Sequence, residues 1–67
     1  MQVDMLRQKI KDSGKTSDEI AAEIGVNRST YFRKMAENGE KFSIREMRRL
    51  VKTLGISYED AIRIFLQ

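Results

Sequence analysis

The chain has 67 residues, with 13 basic and 10 acidic side chains for a net charge of +3, and no histidine, cysteine or proline. A chain near this length buries only about 60% of the surface its unfolded form exposes, which implies one small domain, residues 1–67, held by regular packing. Without cysteine or histidine there are no disulfides, thiolate nucleophiles, imidazole acid–base catalysts or commonest metal ligands, and a content of 40% hydrophobic and 34% charged residues is too apolar for disorder and too charged for a membrane span. The N-terminal stretch lacks the apolar core of a signal peptide, so the expectation is a cytoplasmic chain without membrane contact.

In chain order the pattern predicts short helices. Val3, Leu6 and Ile10 recur about one turn apart over residues 1–12, an amphipathic helix closed by Ser13 and Gly14. Thr16 followed by Glu19 forms a capping box opening a second helix, with Ile20, Ala21 and Ile24 apolar and Gly25 as its stop. Asn27 is a favourable N-cap for a third helix over about residues 27–37, whose apolar side is Tyr31, Phe32 and Met35 and whose end is Asn38-Gly39. Ser43 and Glu46 repeat the capping box ahead of Ile44, Met47, Leu50, Val51 and Leu54, with Gly55 as the stop. Ser57 and Asp60 open a last helix with Tyr58, Ala61, Ile62 and Phe65 along one face. No strand-like alternation or repeat is present, so the fold class is all-α with five helices.

The charge is unevenly placed. Residues 1–26 carry four basic and five acidic side chains, residues 53–67 one and two, and residues 27–52 eight and three. The middle third holds the whole cationic excess, which suits a polyanion because each neutralised phosphate releases counterions. A solvated helical face is the plainer alternative.

The segment from Thr16 to Arg33 joins two short helices through a tight turn at Gly25. It resembles the helix-turn-helix of the Cro and phage-repressor family. Ala21 stands where that family has a small residue between its helices, Gly25 stands at the turn, and Val26 packs beneath it. Asn27, Arg28, Ser29 and Thr30 resemble the start of its recognition helix. Phe42 to Met47 and Leu50 to Ser57 resemble its fourth helix and the link to a fifth, so the likeness spans roughly residues 3–66. It departs at Lys34, where the family commonly has an apolar residue, and at Ser17, where it often has a phosphate-binding glutamine. The resemblance implies a compact lambda-repressor-like DNA-binding domain. It further implies a sequence-specific transcriptional regulator, phage or prophage encoded, whose recognition helix lies in the major groove of double-stranded DNA.

On that reading Asn27, Arg28, Ser29 and Arg33 are the candidate base contacts. Arg28 suits the paired acceptors of guanine. Asn27 either reads adenine or caps the helix, the commoner role for asparagine in that place. Arg33 serves equally as a phosphate clamp. Thr16 and Ser17, at a helix N-terminus, are candidate phosphate contacts, as are Lys34 and Lys41, whose alternative is solubility. Phe32 packs against the fourth helix or touches a thymine methyl. Tyr58 reads as a core-edge aromatic, and Arg45, Arg48 and Arg49 as solvated cations that add to the field. Ile62 and Phe65 suit the core. That leaves Ile64 and Leu66 for a second chain in a homodimer, or for a frayed terminus.

A runner-up function is an antirepressor or modulator of the same fold that docks on a repressor protein. Catalysis is not expected. The adjacent carboxylates Asp18/Glu19 and Glu59/Asp60 diverge on their helices and read as N-terminal helix charge, and no phosphate loop, nucleophile elbow, metal cluster or cofactor motif occurs.

Overall fold

The computed structural model describes every residue from Met1 to Gln67. Five helices follow one another: α1 Val3–Ser13, α2 Ser17–Ile24, α3 Arg28–Ala36, α4 Ile44–Leu54 and α5 Tyr58–Phe65. None is long and apolar enough to cross a membrane. The first begins at Val3 and runs through Ser13, a shift of one or two residues from the sequence-based expectation, which placed it over residues 1–12.

Local chemistry sets the boundaries. Thr16 and Ser43 each accept a hydrogen bond from the backbone three residues on, and Glu19 and Glu46 reach back to the capping residue's N–H. Asn27 and Ser57 cap α3 and α5 through their side-chain oxygens. Each such cap contributes about 1 kcal/mol by satisfying an amide that the helix leaves unpaired. Asn38 takes φ 60° and Gly39 φ 73°, and the Gly39 N–H donates back to Lys34 O at 2.9 Å. That left-handed pair ends α3, as the sequence predicts.

Leu6, Ile20, Ile24, Leu50 and Ile64 lie at the centre, with Ala21, Tyr31, Met35, Phe42 and Ile56 around them, and no charged or polar side chain is buried. The helix α2 packs on α4 and α3, while α1 packs on α4 and α5. Lys9 donates to Asp60 across α1 and α5 at 2.7 Å, and the Gln2 N–H donates to Ile64 O at 2.8 Å. Asp60 is held below the usual carboxylate range by the Lys9 hydrogen bond and charge, which outweigh its loss of solvation.

The rotation of α5 corrects the sequence reading. Ile64, expected to face another chain, is 0% exposed in the chain's own core. Ile62, expected in the core, is half exposed, and Tyr58, expected at the core edge, is 88% exposed. Leu66 is 78% exposed. The cause is geometric. Successive residues turn by about 100°, so the apolar arc from Ile64 through Tyr58 to Leu66 is too wide for one buried face. The Lys9–Asp60 pair and the Gln2 hydrogen bond draw the Asp60/Ile64 edge inward.

Candidate nucleic-acid interface

The α2–α3 corner is fixed from below. Gly25 closes α2 at φ 83°, with its N–H directed at the Ala21 and Ala22 carbonyls, and the Val26 N–H donates to Ala21 O at 3.0 Å. Arg49 Nη1 lies 3.4 Å from Ile24 O, the last carbonyl of α2. A β-carbon at Gly25 would stand 2.5 Å from that nitrogen, the flexible end of a side chain that can move aside, so glycine is required here for its left-handed backbone conformation. Arg49, exposed as a solvated cation is expected to be, also acts as a clamp on the turn. A second clamp comes from α1, where Arg7 Nη2 donates to Met35 O near the end of α3 at 3.2 Å. Both arginines complement the negative end of a helix dipole. Position alone does not single them out in the sequence, since each sits among other cations.

The start of α3 is left uncovered. Asn27, Arg28 and Ser29 are exposed and, with Phe32, line one shallow depression of about 560 Å³. Asn27 Oδ1 accepts from the Thr30 N–H at 2.8 Å and from Ser29 Oγ at 2.9 Å, so its oxygen serves as the cap while its amide nitrogen has no partner in the chain. Ser29 keeps its oxygen free to accept. Arg28, 68% exposed in its side chain, places Nε 3.4 Å from Asp18 Oδ1, and its guanidinium carbon lies 5.4 Å from the Phe32 ring centre. Arg33 is exposed and only loosely paired, with Nε 3.7 Å from Glu37 Oε1.

Phe32 does not pack on α4 as first expected. Its edge meets Tyr31 at 5.6 Å between centres. Besides the depression, it borders a cavity of about 270 Å³ whose polar walls are Arg7, Lys11 and Ser17. Burial pushes the Tyr31 phenol up, against the opposing pull of Arg7. Lys11 beside Ser17 is a cation that sequence reasoning passed over. Its signal was its place four residues after Arg7, on the same face of α1.

The four candidate phosphate contacts fare differently. Thr16 and Ser17 sit together at the start of α2, but the Thr16 N–H donates to Glu19 Oε1 at 2.9 Å. That hydrogen bond, with the Thr16 hydroxyl, holds the Glu19 carboxyl below its usual range. An incoming phosphate therefore meets Asp18 and Glu19 as well as the helix N-terminus. Lys41 is exposed in the α3–α4 loop and has no ion pair. Lys34 is turned away from solvent: Nζ lies 2.6 Å from Glu46 Oε1, with both side chains 14% exposed, and 5.9 Å from the Phe42 ring centre. It is a tie between α3 and α4, which corrects its expected place on the DNA backbone. Burial pushes the Glu46 carboxyl up, but hydrogen bonds from Lys34 and Ser43 and the lysine charge hold it net below the usual range.

A second exposed face lies on α4 and α5. Ile44, Met47, Val51, Tyr58, Ala61, Ile62, Phe65 and Leu66 line a groove of about 230 Å³ whose one charged neighbour is Arg48. Of the residues expected at a chain–chain contact, this face includes Leu66 and omits Ile64. Comparison with protein-family models, with curated proteins and with solved structures gives no match for this chain.

Proposed function

We propose that the chain is a sequence-specific DNA-binding transcriptional regulator of the Cro and phage-repressor type, with α2 and α3 as a helix-turn-helix and the start of α3 in the major groove. The observation that carries this reading is the uncovered N-terminal end of α3. Asn27, Arg28 and Ser29 stand exposed together there, braced through the Gly25 turn. A recognition helix offers its first residues to base edges in this way. Arg28 pairs with a guanine, Ser29 accepts or donates at a neighbouring base or phosphate, and Asn27 contributes its amide nitrogen while capping. Arg33, Lys41, Ser17 and the Thr16 hydroxyl meet the DNA backbone.

The apolar α4–α5 face is assigned to a second copy of the chain. Half-sites read by two-fold dimers lie about 34 Å apart, and the longest extent of this molecule is 28 Å, so one copy does not span two of them. A two-fold interface matches a patch with itself, which an apolar surface with one charge at its edge permits. The alternative, a modulator that docks on a repressor protein, sets the positive third helix against an acidic partner surface and leaves the apolar α4–α5 face without a role.

Titration of the full chain against randomised and selected duplexes at two salt concentrations tests the reading. Affinity falling steeply with salt, and tighter binding to the selected sequence, is the expected result. Binding that ignores salt, or no preference between the duplexes, refutes it.

A further inference from the structure

Arg28 is the first residue of α3, where the backbone does little to aim a long, flexible side chain. Two neighbours aim it instead. Asp18, on the first turn of α2, sets its Oδ1 3.4 Å from Arg28 Nε. Phe32, one turn further along α3, sets its ring 5.4 Å beneath the guanidinium carbon. The carboxylate stands beside the inner nitrogen of the guanidinium as an exposed ion pair. The two outer nitrogens, the fork that matches the O6 and N7 acceptors of guanine, have no partner in the chain. Among the exposed arginines, Arg28 alone is held by both a carboxylate and a ring. Arg33 has the Glu37 carboxylate without a ring, and Arg45 and Arg48 have neither.

We infer that Asp18 and Phe32 are positioning residues which hold Arg28 as a pre-set reader of one guanine. This inference rests on the DNA-binding reading and deepens it. An exposed carboxylate on a surface that meets phosphates repels them, so Asp18 lowers affinity for any duplex. The helix end does not depend on it, because Thr16 and Glu19 already form the capping box of α2. What Asp18 supplies in exchange is orientation. A guanidinium fixed before contact loses less side-chain freedom on binding the correct base, and one fixed in a single direction gains less from the wrong base. The pair therefore exchanges general affinity for discrimination.

The first test uses the chain without DNA. The Nε–H group of Arg28, followed by nitrogen relaxation, is expected to be more ordered than those of Arg45 and Arg48, and to loosen in both Asp18→Asn and Phe32→Leu. The second uses the duplex selected by the wild-type chain, with each guanine in turn replaced by 7-deazaguanine, which lacks the N7 acceptor. At one guanine the wild-type chain is expected to lose about tenfold in affinity. In the two variants that loss shrinks to about two- to threefold, while Asp18→Asn binds random duplex as tightly as the wild type or more so. Asp18 is exposed and outside the core, so its variant reports even where Phe32→Leu disturbs the fold. An Arg28 Nε–H as mobile as that of Arg45, or a guanine penalty undiminished in both variants, overturns the positioning role alone. A wild-type chain that binds no duplex overturns the functional reading beneath it.

Discussion

The face at the start of α3 and the face shared by α4 and α5 are both exposed, yet their side chains are held in opposite ways. At the start of α3 the polar groups are already engaged with one another: Asn27 with Thr30 and Ser29, Arg28 with Asp18 and Phe32. On α4 and α5 the apolar groups Ile44, Tyr58, Ile62 and Leu66 stand in solvent with nothing over them. The first arrangement keeps a few directed groups ready at little cost in water, because water satisfies what the chain does not. The second is unfavourable in water and is relieved only by removing apolar area from it. A surface of directed polar groups suits recognition of a specific ligand, whereas a bare apolar one suits association.

The sharpest way to break this contrast is a pair of substitutions two residues apart on α5. Ile64→Asp places an unpaired charge in the core and is expected to cost about 4 kcal/mol or more, enough to abolish folding of a chain this size. Ile62→Asp is expected to change the protomer's stability by only about 0.5 kcal/mol. It should nonetheless shift the sedimentation profile toward monomer. Thermal unfolding followed by circular dichroism, with sedimentation of the same samples, reads both. Equal destabilisation by the two would mean that the assigned rotation of α5 is wrong.

The Lys34–Glu46 tie joins the two regions. Lys34→Ala is expected to lower stability by about 1–3 kcal/mol, leaving the salt dependence of DNA binding nearly unchanged. Because the folded-state value of Glu46 lies below its unfolded one, the unfolded chain takes up that proton first. The stabilisation is therefore present at neutral pH and is lost as pH falls through the ordinary carboxylate range and below. Denaturant titrations at neutral and acid pH should show the wild type and Lys34→Ala converging in acid; a constant gap would exclude the pair as the cause.

At the start of α3, Arg28→Ala is expected to cost about 1–3 kcal/mol at one base pair and to relax specificity there. Competition binding against single-position operator variants measures this, and equal losses at every position would make Arg28 a backbone contact. The smallest effect belongs to Lys41→Ala, a uniform weakening with the salt slope reduced by about one. A titration series in salt detects it, and an unchanged slope removes Lys41 from the interface.

Much of the fold is legible because its signals are local. Each cap is a side chain bonding an amide three residues away, so Thr16/Glu19, Ser43/Glu46, Asn27 and Ser57 mark their helices without help from the rest of the chain. The exposed placement of Arg28, Ser29 and Arg33 follows from the inward direction of Tyr31 and Met35 on the same helix. The role of Asp18 was not legible in this way, because its partner lies on another helix.

By itself the sequence determined five helices, their limits to within one or two residues, and a central cationic stretch. Hydrogen-bond capping and apolar periodicity act over three or four residues and survive in any tertiary setting. Tertiary structure alone decided which edge of α5 is buried, that Lys34 is spent inside the molecule while Arg49 reaches the α2 turn, and that Arg28 is flanked on two sides. Those outcomes depend on the relative rotation of whole helices. A short helix with a wide apolar arc has several rotations of similar burial, and contacts between residues distant in the chain select among them.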